Sequence, residues 1–379
     1  MLPFTDSDLK AEISSKTTRL QDLMERKKFA AILLTQVRNF EWLTGGMGDN
    51  QVGRGSEVGA ASLLYTKDGQ KFVIAAHSEI PRLMEDGLGA LGYEPVELKW
   101  YEKPPDLAQL LGLTGNIGSD VDREGCTAVN IAPLRYQLSP AEILKYRWLG
   151  RKSAEAVEEI TRQVKPGMTE RQIEAMISNA LMQVGIRPTV LLIGSDDRIY
   201  RFRHALPSDR VVEKYAMVNI CGKKWGLISS VTRFIHFGAL DAELKKRLLA
   251  AATVNAKYSH ALRAGAKISD IFQQATQWYA ALGYPGEWKF HHQGGATGYN
   301  EREYVIMPDS TEVVLDYQAF SMNPTVQGAK AEDTILVQQD HTENLSSTPN
   351  WPKINVELGG INYESADILI QGAAQTKWT

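Results

Sequence analysis

Three histidines, one arginine and two glutamates are the side chains best suited to chemistry on a small molecule. An imidazole takes up and returns a proton near neutral pH, because its unperturbed pKa is about 6.5. A guanidinium can bind a carboxylate through two parallel hydrogen bonds, and a glutamate accepts hydrogen bonds from a cationic group. The residues concerned are His204, His291, His292, Arg302, Glu303 and Glu332.

Each of these side chains also has an ordinary structural explanation. His204 could lie on a loop and bond only to backbone, and from the residues alone we favour this interpretation. Arg302 could form an internal ion pair with Glu332 or Glu303. Glu332 could be a buried carboxylate neutralised by Arg302 or Arg233, because buried charges are normally paired.

A thiol combined with imidazoles could instead hold zinc. Cys221 with His204, His291 or His292 would supply sulfur and nitrogen ligands. The spacing of these residues matches no structural zinc motif, and a lone buried cysteine usually behaves as a small apolar residue. The glycine-rich run 294–298 is not a phosphate loop, because nothing places it between a strand and a helix with a following lysine.

Composition and charge narrow the classes of function. The chain has 379 residues, 43% apolar and 23% charged, which is typical of a globular enzyme with two domains. The net charge is −3 and we find no long basic run, so we expect neither nucleic acid nor a membrane as a partner. Two cysteines, a polar N-terminus and short apolar runs lead us to expect a cytoplasmic protein.

Local patterns in the first third of the chain predict an α/β domain. Residues 10–26 have the spacing of an amphipathic helix, and Phe29–Thr35 is an apolar run suited to a buried strand. Ala61–Thr66 and Lys71–Ala76 flank a turn and indicate a hairpin. We therefore predict a first domain over residues 1–135.

The second domain is predicted to begin with two capped helices. Ser139, followed by a proline and by Glu142, predicts a helix that runs to about Gln163. Thr169–Gln172 has the pattern of a second capping box and predicts the next helix. We therefore predict a larger second domain over residues 136–379.

Three segments resemble one known family in order and spacing. Arg38–Gly46 is similar to its motif N-x-x-Y-L-T-G, Ser139–Ile173 to its linker and first catalytic helices, and Gly328–Val337 to its strand G-x-x-x-E-D-T-x-L-V. Over nearly its whole length, the chain resembles the creatinase/prolidase/methionine aminopeptidase, or pita-bread, family. This resemblance implies an α/β N-terminal domain plus an α+β pita-bread C-terminal domain, with the active site on the concave face of a curved sheet.

The resemblance also implies a dinuclear metal centre, but the sequence lacks most of its ligands. Metallopeptidases of the family hold two divalent ions with two Asp, one His and two Glu, because hard cations need several anionic oxygens. Only Glu332 survives, so we expect no metal and no cofactor, and open space where the ligand imidazole would stand. The replaced positions are Cys221 (or Asn219 as its alternative), Ser230, Gly295 and Asn323.

The resemblance implies roles for the residues that remain. His204 keeps the position of a histidine proposed as general base and acid in creatinases, which use no metal. Arg302 stands where creatinases carry an arginine that binds the substrate carboxylate. Glu332 and Glu303 would then hold a polar or cationic part of the substrate.

Further substrate contacts are implied for His291, His292 and Arg54. His291 keeps a family histidine beside the site, and His292 is an addition. Arg54 lies where creatinase-like dimers project an arginine into the neighbouring subunit's site. A homodimer is expected from the resemblance alone.

Three functions follow from these observations. The first is a metal-independent hydrolase of the creatinase type, which would cleave a C–N bond of a small carboxylate-bearing molecule. The second is a non-catalytic descendant that keeps the cleft to bind a metabolite or short peptide, or keeps the fold as a scaffold. The third is an ordinary metal-dependent Xaa-Pro dipeptidase or aminopeptidase.

Overall fold

The computed structural model describes residues 2–372, which form two compact units. The first unit runs up to Arg135 and also takes in Ser139–Glu142 and Trp225–Leu227. The second unit holds the remaining described residues. None of the helices within this span is both long enough and apolar enough to cross a lipid bilayer.

The first unit is built on a six-stranded mixed sheet with the order β4-β3-β2-β1-β5-β6. β2 pairs in antiparallel fashion with both β1 and β3. The other three pairs, β3 with β4, β1 with β5 and β5 with β6, are parallel. A π-helical turn follows α3. The elements are α1 (Asp6–Lys27), β1 (Phe29–Gln36), α2 (Val37–Leu43), β2 (Val58–Thr66), β3 (Lys71–Ala76), α3 (Ile80–Leu83), β4 (Glu94–Leu98), α4 (Leu107–Leu110), β5 (Asn116–Ser119), β6 (Cys126–Ala128) and α5 (Ala132–Arg135).

The predicted local elements of this unit are confirmed. α1 contains the predicted helical segment, and its N-cap Thr5 exchanges hydrogen bonds with Asp8. β1 covers the predicted apolar strand, and β2 pairs with β3 across residues 67–70. Helix caps and hairpin turns are local signals, so sequence spacing alone is enough to predict them.

The second unit combines helices with two sheets, ordered β19-β9-β8-β7 and β11-β10-β12-β15-β16, and two small hairpins, β13-β14 and β17-β18. A short 3₁₀ helix precedes β10. Its elements and the helix that leads into it are α6 (Pro140–Gln163), α7 (Glu170–Gln183), β7 (Arg187–Ser195), α8 (Asp197–Arg201), β8 (Tyr215–Lys224), β9 (Leu227–Phe237), α9 (Ala242–Ala261), α10 (Ile268–Ala281), β10 (Gly294–Thr297), β11 (Tyr304–Val305), β12 (Ala319–Met322), β13 (Thr325–Val326), β14 (Ala329–Lys330), β15 (Asp333–Gln338), β16 (His341–Asn344), β17 (Lys353–Leu358), β18 (Ile361–Ala366) and β19 (Leu369–Gln371).

Both predicted capping boxes start helices. The N–H of Ser139 donates to Glu142 Oε2 (2.7 Å), and the N–H of Glu142 donates to Ser139 Oγ (3.3 Å). Thr169 and Gln172 make the same exchange at the start of α7. α6 ends at Gln163, as predicted.

Hydrogen bonds join the two sheets of the second unit between β9 and the start of β15. The N–H of Thr232 donates to the carbonyl of Glu332 (3.2 Å), and the N–H of Ser230 donates to Thr334 Oγ1 (2.8 Å). α9 and α10 pack over the β10-β12-β15 region through a buried apolar cluster that includes Tyr258 and Phe320. The hydrogen bonds between β9 and the start of β15 place Glu332 beside the polar side chains of β9.

Candidate active site

β8 and β9 present four buried polar side chains to one another. Asn219 and Cys221 share one face of β8, as Ser230 and Thr232 do on β9, because successive side chains of a strand alternate. Asn219 Nδ2 donates to Thr232 Oγ1 (2.9 Å), and Cys221 Sγ lies 3.3 Å from Ser230 Oγ. Both candidates for the first family aspartate therefore lie on the same face.

The carboxylate of Glu332 lies beside these side chains and is bonded on both oxygens. Its Oε2 accepts from Asn219 Nδ2 (2.8 Å), from Thr232 Oγ1 (2.6 Å) and from Lys330 Nζ (2.7 Å). Its Oε1 accepts from Arg302 Nη2 (3.4 Å). Only 4% of Glu332 is exposed.

Internal positive charge keeps Glu332 ionised. Burial by itself would raise the pKa of this carboxyl group, but the charges of Lys330 and Arg302 and the donated hydrogen bonds lower it to about 2. Lys330 is itself buried, with 5% of its surface exposed. The carboxylate of Glu332 is therefore already paired with two cationic side chains of the protein.

Arg302 is only partly satisfied by its neighbours. Its two contacts with side chains, to Ser230 Oγ and to Glu332 Oε1, are both 3.4 Å long and therefore weak. Nη1 also donates to the carbonyl of Glu301 (2.6 Å). Its Nε is buried and has no partner in the described part of the chain. A carboxylate could take up these donors in a bidentate pair.

The three histidines converge. His204 Nε2 and His291 Nε2 are 3.1 Å apart, and the centroids of the His291 and His292 rings are 4.6 Å apart. One ligand nitrogen from each ring lies within 4.8 Å of the other two. Among residues 2–372 this is the only group of three or more metal-binding side chains that converges in this way.

A chain of hydrogen bonds fixes the tautomer of His291. Thr325 Oγ1 donates its one proton to the carbonyl of Asn323 (2.9 Å), so it accepts from His291 Nδ1–H (3.0 Å). The lone pair of His291 then lies on Nε2 and accepts from His204 Nε2–H. The lone pair of neutral His204 is consequently on Nδ1, which has no partner among the described residues.

An ion pair and a hydrogen bond from an arginine to backbone hold the loop that carries His204. On its N-terminal side Arg203 pairs with Glu287, and Glu287 also accepts from the N–H of Gln327 (2.9 Å). On its C-terminal side Arg198 Nη2 donates to the carbonyl of Leu206 (2.7 Å). An exposed imidazole is thus held on a constrained backbone.

All three imidazoles have a lowered pKa. Burial, followed by the charge of Lys330, lowers the pKa of His291 to about 2. Burial, followed by the charge of Arg302, lowers the pKa of His292 to about 4, and partial burial with the charge of Lys330 lowers that of His204. The cluster is therefore neutral near pH 7. The lone pair of His291 accepts from His204, and His292 Nδ1 accepts from the N–H of Gly294 (3.3 Å), so the lone pair on His204 Nδ1 is the one most available to a proton.

Glu303 and Arg54 lie in different settings. Glu303 Oε1 accepts from the N–H of Tyr299 (3.0 Å) and so supports the turn between β10 and β11. Arg54 lies in an exposed turn of the first unit, where its carbonyl accepts from Gln51 Nε2 (3.1 Å). A substrate-binding role for either residue stays a prediction.

Comparisons with known proteins define the family. The model of metallopeptidase family M24 matches residues 145–339, which is more than half of the chain. The chain belongs to metallopeptidase family M24. The model of the creatinase/prolidase N-terminal domain matches residues 16–143.

Relatives and solved structures similar to this M24 member span nearly its whole length. An uncharacterized peptidase of Staphylococcus aureus is 22% identical over 356 residues, covering 88% of this chain and 99% of the relative. The Xaa-Pro dipeptidase from Bacillus anthracis has a TM-score of 0.74 at 18% identity, covering 95% of this chain and 100% of that one. The X-Pro aminopeptidase from Thermotoga maritima has a TM-score of 0.74 at 16% identity, covering 93% and 99%. The expected pita-bread fold is confirmed.

The side chains at the M24 metal positions do not fit two divalent ions. Cys221 offers a soft sulfur in place of a carboxylate oxygen, and burial, followed by the charge of Glu332, raises the pKa of its thiol to about 12. Ser230 and Asn323 are neutral, and Glu332 is already paired with cations. Hard dications need several anionic oxygens, and here one carboxylate remains.

The expectation of open space at Gly295 is wrong. A Cβ atom at this position would meet the Tyr304 carbonyl at 2.0 Å and Val305 Cα at 2.9 Å. The backbone of β11 thus fills the volume beside Gly295, where we expected an imidazole-sized gap. The strand pair β10-β11 closes the sheet at the point where the family carries its ligand histidine.

The proposed zinc set of Cys221 with histidines is not what the structure assembles. Cys221 faces Ser230, whereas the converging group consists of the three histidines without it. Sequence reasoning also missed Lys330 and Thr325. Alternation in Lys330-Ala331-Glu332 was an available signal for Lys330, because residues two apart in an extended segment point the same way. For Thr325 the sequence held no comparable signal.

Proposed function

We propose that this protein hydrolyses a C–N bond of a small, carboxylate-bearing substrate, a metabolite or short peptide, without the dinuclear metal centre of the M24 family. The observation that carries the proposal is the anchored pair of His204 and His291 near the unsaturated guanidinium of Arg302. Burial and then the charge of Lys330 lower the pKa of His204, and the charge of Arg302 adds to this effect.

His204 would act as general base and then as general acid. Its Nδ1 takes a proton from the attacking water while its Nε2–H stays bonded to His291. The hydroxide adds to the carbon of the scissile C–N bond, and His204 then gives the same proton to the departing nitrogen. His291, held by Thr325, orients the ring and stabilises the transient imidazolium, which is the task of the third member of a catalytic triad.

Charge in the site favours an anionic substrate group. Lys330 and Arg302 carry two positive charges against one on Glu332, and the histidines are neutral near pH 7. Arg302 would orient the substrate carboxylate, and Glu332 would hold Arg302 and Lys330 in place. This use of Glu332 replaces the direct contact with a cationic substrate group that the resemblance implied.

Turnover in the presence of a chelator tests the proposal. Full-length protein is incubated in EDTA with a library of Xaa-Pro dipeptides and small C–N substrates, each with its carboxylate free or amidated. We expect hydrolysis of free carboxylates only, lost by about 10²–10⁴-fold in His204→Ala and unchanged in the control His341→Ala, which alters an exposed residue of β16. Activity that needs two bound metal ions, or that survives His204→Ala, would refute it.

A non-catalytic binding protein is the second candidate, and the internal pairing of Glu332 favours it. A thermal-shift screen of the same library separates the two candidates, because carboxylate ligands would stabilise the protein in the absence of any turnover. A metal-dependent Xaa-Pro peptidase, the activity named for the solved neighbours, would instead bind two metal ions per chain and lose its activity in EDTA.

A further inference from the structure

We propose that His204, His291 and His292 together bind one transition-metal ion, with zinc as the best match, at a place separate from the five M24 ligand positions. Their ligand nitrogens lie within 4.8 Å of one another. Three imidazole ligands and one open position form a common zinc arrangement, with zinc to nitrogen distances of about 2.0–2.1 Å.

The geometry needs only small movements to close on an ion. Two nitrogens of a tetrahedral zinc site lie about 3.4 Å apart when each bond is about 2.1 Å long. His204 Nε2 and His291 Nε2 are already 3.1 Å apart, and His204 would bind the ion through Nε2 after its proton has moved to Nδ1. His204 and His292 are exposed, and binding an ion would replace the bond between His204 Nε2 and His291 Nε2. The bond that His292 Nδ1 accepts from the N–H of Gly294 is long (3.3 Å), so little is lost if this ring turns toward His291.

His291 has the support expected of a metal ligand. Its Nδ1–H donates to Thr325 Oγ1 (3.0 Å), and Thr325 donates to the carbonyl of Asn323 (2.9 Å). A metal-bound histidine nearly always donates its second nitrogen in this way, because the bond fixes the ring and the tautomer. With Nδ1 protonated, Nε2 presents its lone pair to the cluster.

The neutral state of the imidazoles favours coordination, and the charges nearby favour an anionic fourth ligand. The imidazoles are neutral at pH 7, which is the state that binds metal. Lys330 and Arg302 repel a cation and Glu332 attracts it, so an anionic fourth ligand such as hydroxide or a carboxylate would offset the excess positive charge.

Metal binding at this place would inhibit the proposed hydrolysis. An ion that uses the His204 lone pair prevents that ring from taking a proton from water. This consequence rests on the proposed function, whereas the binding of the ion does not. Zinc would therefore act as a reversible inhibitor that a chelator removes.

Metal titration of the full-length, chelator-stripped protein tests the site. Zinc binding is measured by calorimetry and cobalt(II) binding by its visible spectrum. We expect one ion per chain with a tetrahedral cobalt spectrum, lost in His204→Ala and in His292→Ala and weakened about 10-fold in Thr325→Val. The control His341→Ala should bind as the wild type does.

Three results would overturn the site, and the first two concern binding to the histidines themselves. One is the absence of saturable binding, and the other is an ion that persists in both His204→Ala and His292→Ala. Binding that is lost in Glu332→Gln but kept in His292→Ala would also contradict it, because the ion would then occupy the M24 positions.

Activity with and without zinc separates this inference from the proposed function. The ratio of turnover in zinc to turnover in EDTA should be low in the wild type and near one in His292→Ala, whatever the absolute rate of the variant. If no substrate is turned over, calorimetry still shows whether the three histidines bind zinc. If turnover in EDTA occurs and zinc does not bind, only the ion site is refuted.

Discussion

At the scale of single residues, the side chains of Lys330 and Arg302 supply the positive charge beside Glu332 that metal ions would supply in a metallopeptidase of the family. Glu332 is the one carboxylate left at the family's ligand positions, and its partners are the ammonium of Lys330 at 2.7 Å and the guanidinium of Arg302 at 3.4 Å. A metal ion would have to displace these cations or share the carboxylate with them. Protein cations therefore satisfy a charge that a dication would otherwise neutralise.

Replacing Lys330 by methionine should destabilise the second unit by about 3–5 kcal/mol, because a buried carboxylate loses its closest counter-ion. The loss is measured as faster amide hydrogen exchange in β15, which reports on the second unit by itself. The control Lys152→Met removes a surface pair with Glu155, whose side chains are 40% and 45% exposed, and should cost about 0–1 kcal/mol. Equal effects in the two variants would show that Lys330 does not stabilise Glu332.

Cys221 should be unreactive in the folded protein. Burial raises its thiol pKa to about 12, and the thiolate is the nucleophile in alkylation. Iodoacetamide at mildly alkaline pH should label half-buried Cys126 first and Cys221 only after unfolding, with the labelled residues identified by mass spectrometry. Rapid labelling of native Cys221 would mean a thiolate, and would reopen the possibility that this residue binds a metal.

The sequence predicted these residues unevenly, and the reason is physical. His204, His291 and His292 do converge, and Arg302 does contact Glu332, because motif positions fix which strands and loops carry them. Which nitrogens of His204 and His291 carry protons depends on Thr325, which bonds to His291. No motif in the sequence indicates that Thr325 lies next to this histidine. The sequence also could not show that Arg302 and Lys330 would both pair with Glu332.

At the scale of elements, strand pairing decides what each position can hold. Asn219 faces Thr232, and Cys221 faces Ser230, because β8 and β9 pair in one register. Gly295 is enclosed by the backbones on either side of β10. Restoring a ligand histidine at Gly295 would therefore require β10 and β11 to separate.

Gly295→Ala should loosen the edge of this sheet. Its Cβ would lie 2.0 Å from the Tyr304 carbonyl, and overpacking of this kind typically costs about 1–3 kcal/mol. Amides of β10 and β11 should exchange faster, whereas the control Gly53→Ala, which adds a methyl group in open space, should leave them unchanged. Unaltered exchange in Gly295→Ala would show that the strands can move apart at little cost.

Elements with local signals were the ones the sequence predicted well. α6 and α7 start at capping boxes, and the β2-β3 hairpin closes over a short turn. The strands from β10 to β16 are only two to six residues long. Runs this short do not establish a period of two, so the closure of β10 against β11 could not be predicted.

At the scale of the whole molecule, an M24 fold is kept while the charges at its metal positions have changed. The matches span nearly the full chain, so the overall fold is shared with these proteins. The homodimer, and with it a role for Arg54 in a neighbouring site, stays a prediction. Sedimentation of the full-length protein at several concentrations would test the dimer directly.

Acid should destabilise the whole protein through Glu332. Its pKa is about 2 in the folded chain against an ordinary 4.5, so its contribution is complete above 4.5 and is lost as pH falls toward 2. Between about pH 5 and about pH 3 this group alone should remove about 2 kcal/mol from the free energy of unfolding. The loss follows because the unfolded chain takes up the proton first.

Urea unfolding at the two pH values, followed by tryptophan fluorescence, measures this loss. Glu332→Gln cannot titrate and should lose about 2 kcal/mol less than the wild type on acidification, whereas Glu155→Gln on the surface should behave as the wild type does. If Glu332→Gln does not fold, Thr232→Val keeps the carboxylate but removes one hydrogen bond that lowers its pKa, so its acid-induced loss should be smaller. Equal losses of unfolding free energy in the wild type and in the variants that fold would mean that Glu332 titrates as an ordinary carboxyl group. Its pairing with Lys330 and Arg302 could not then replace the charge of a metal ion.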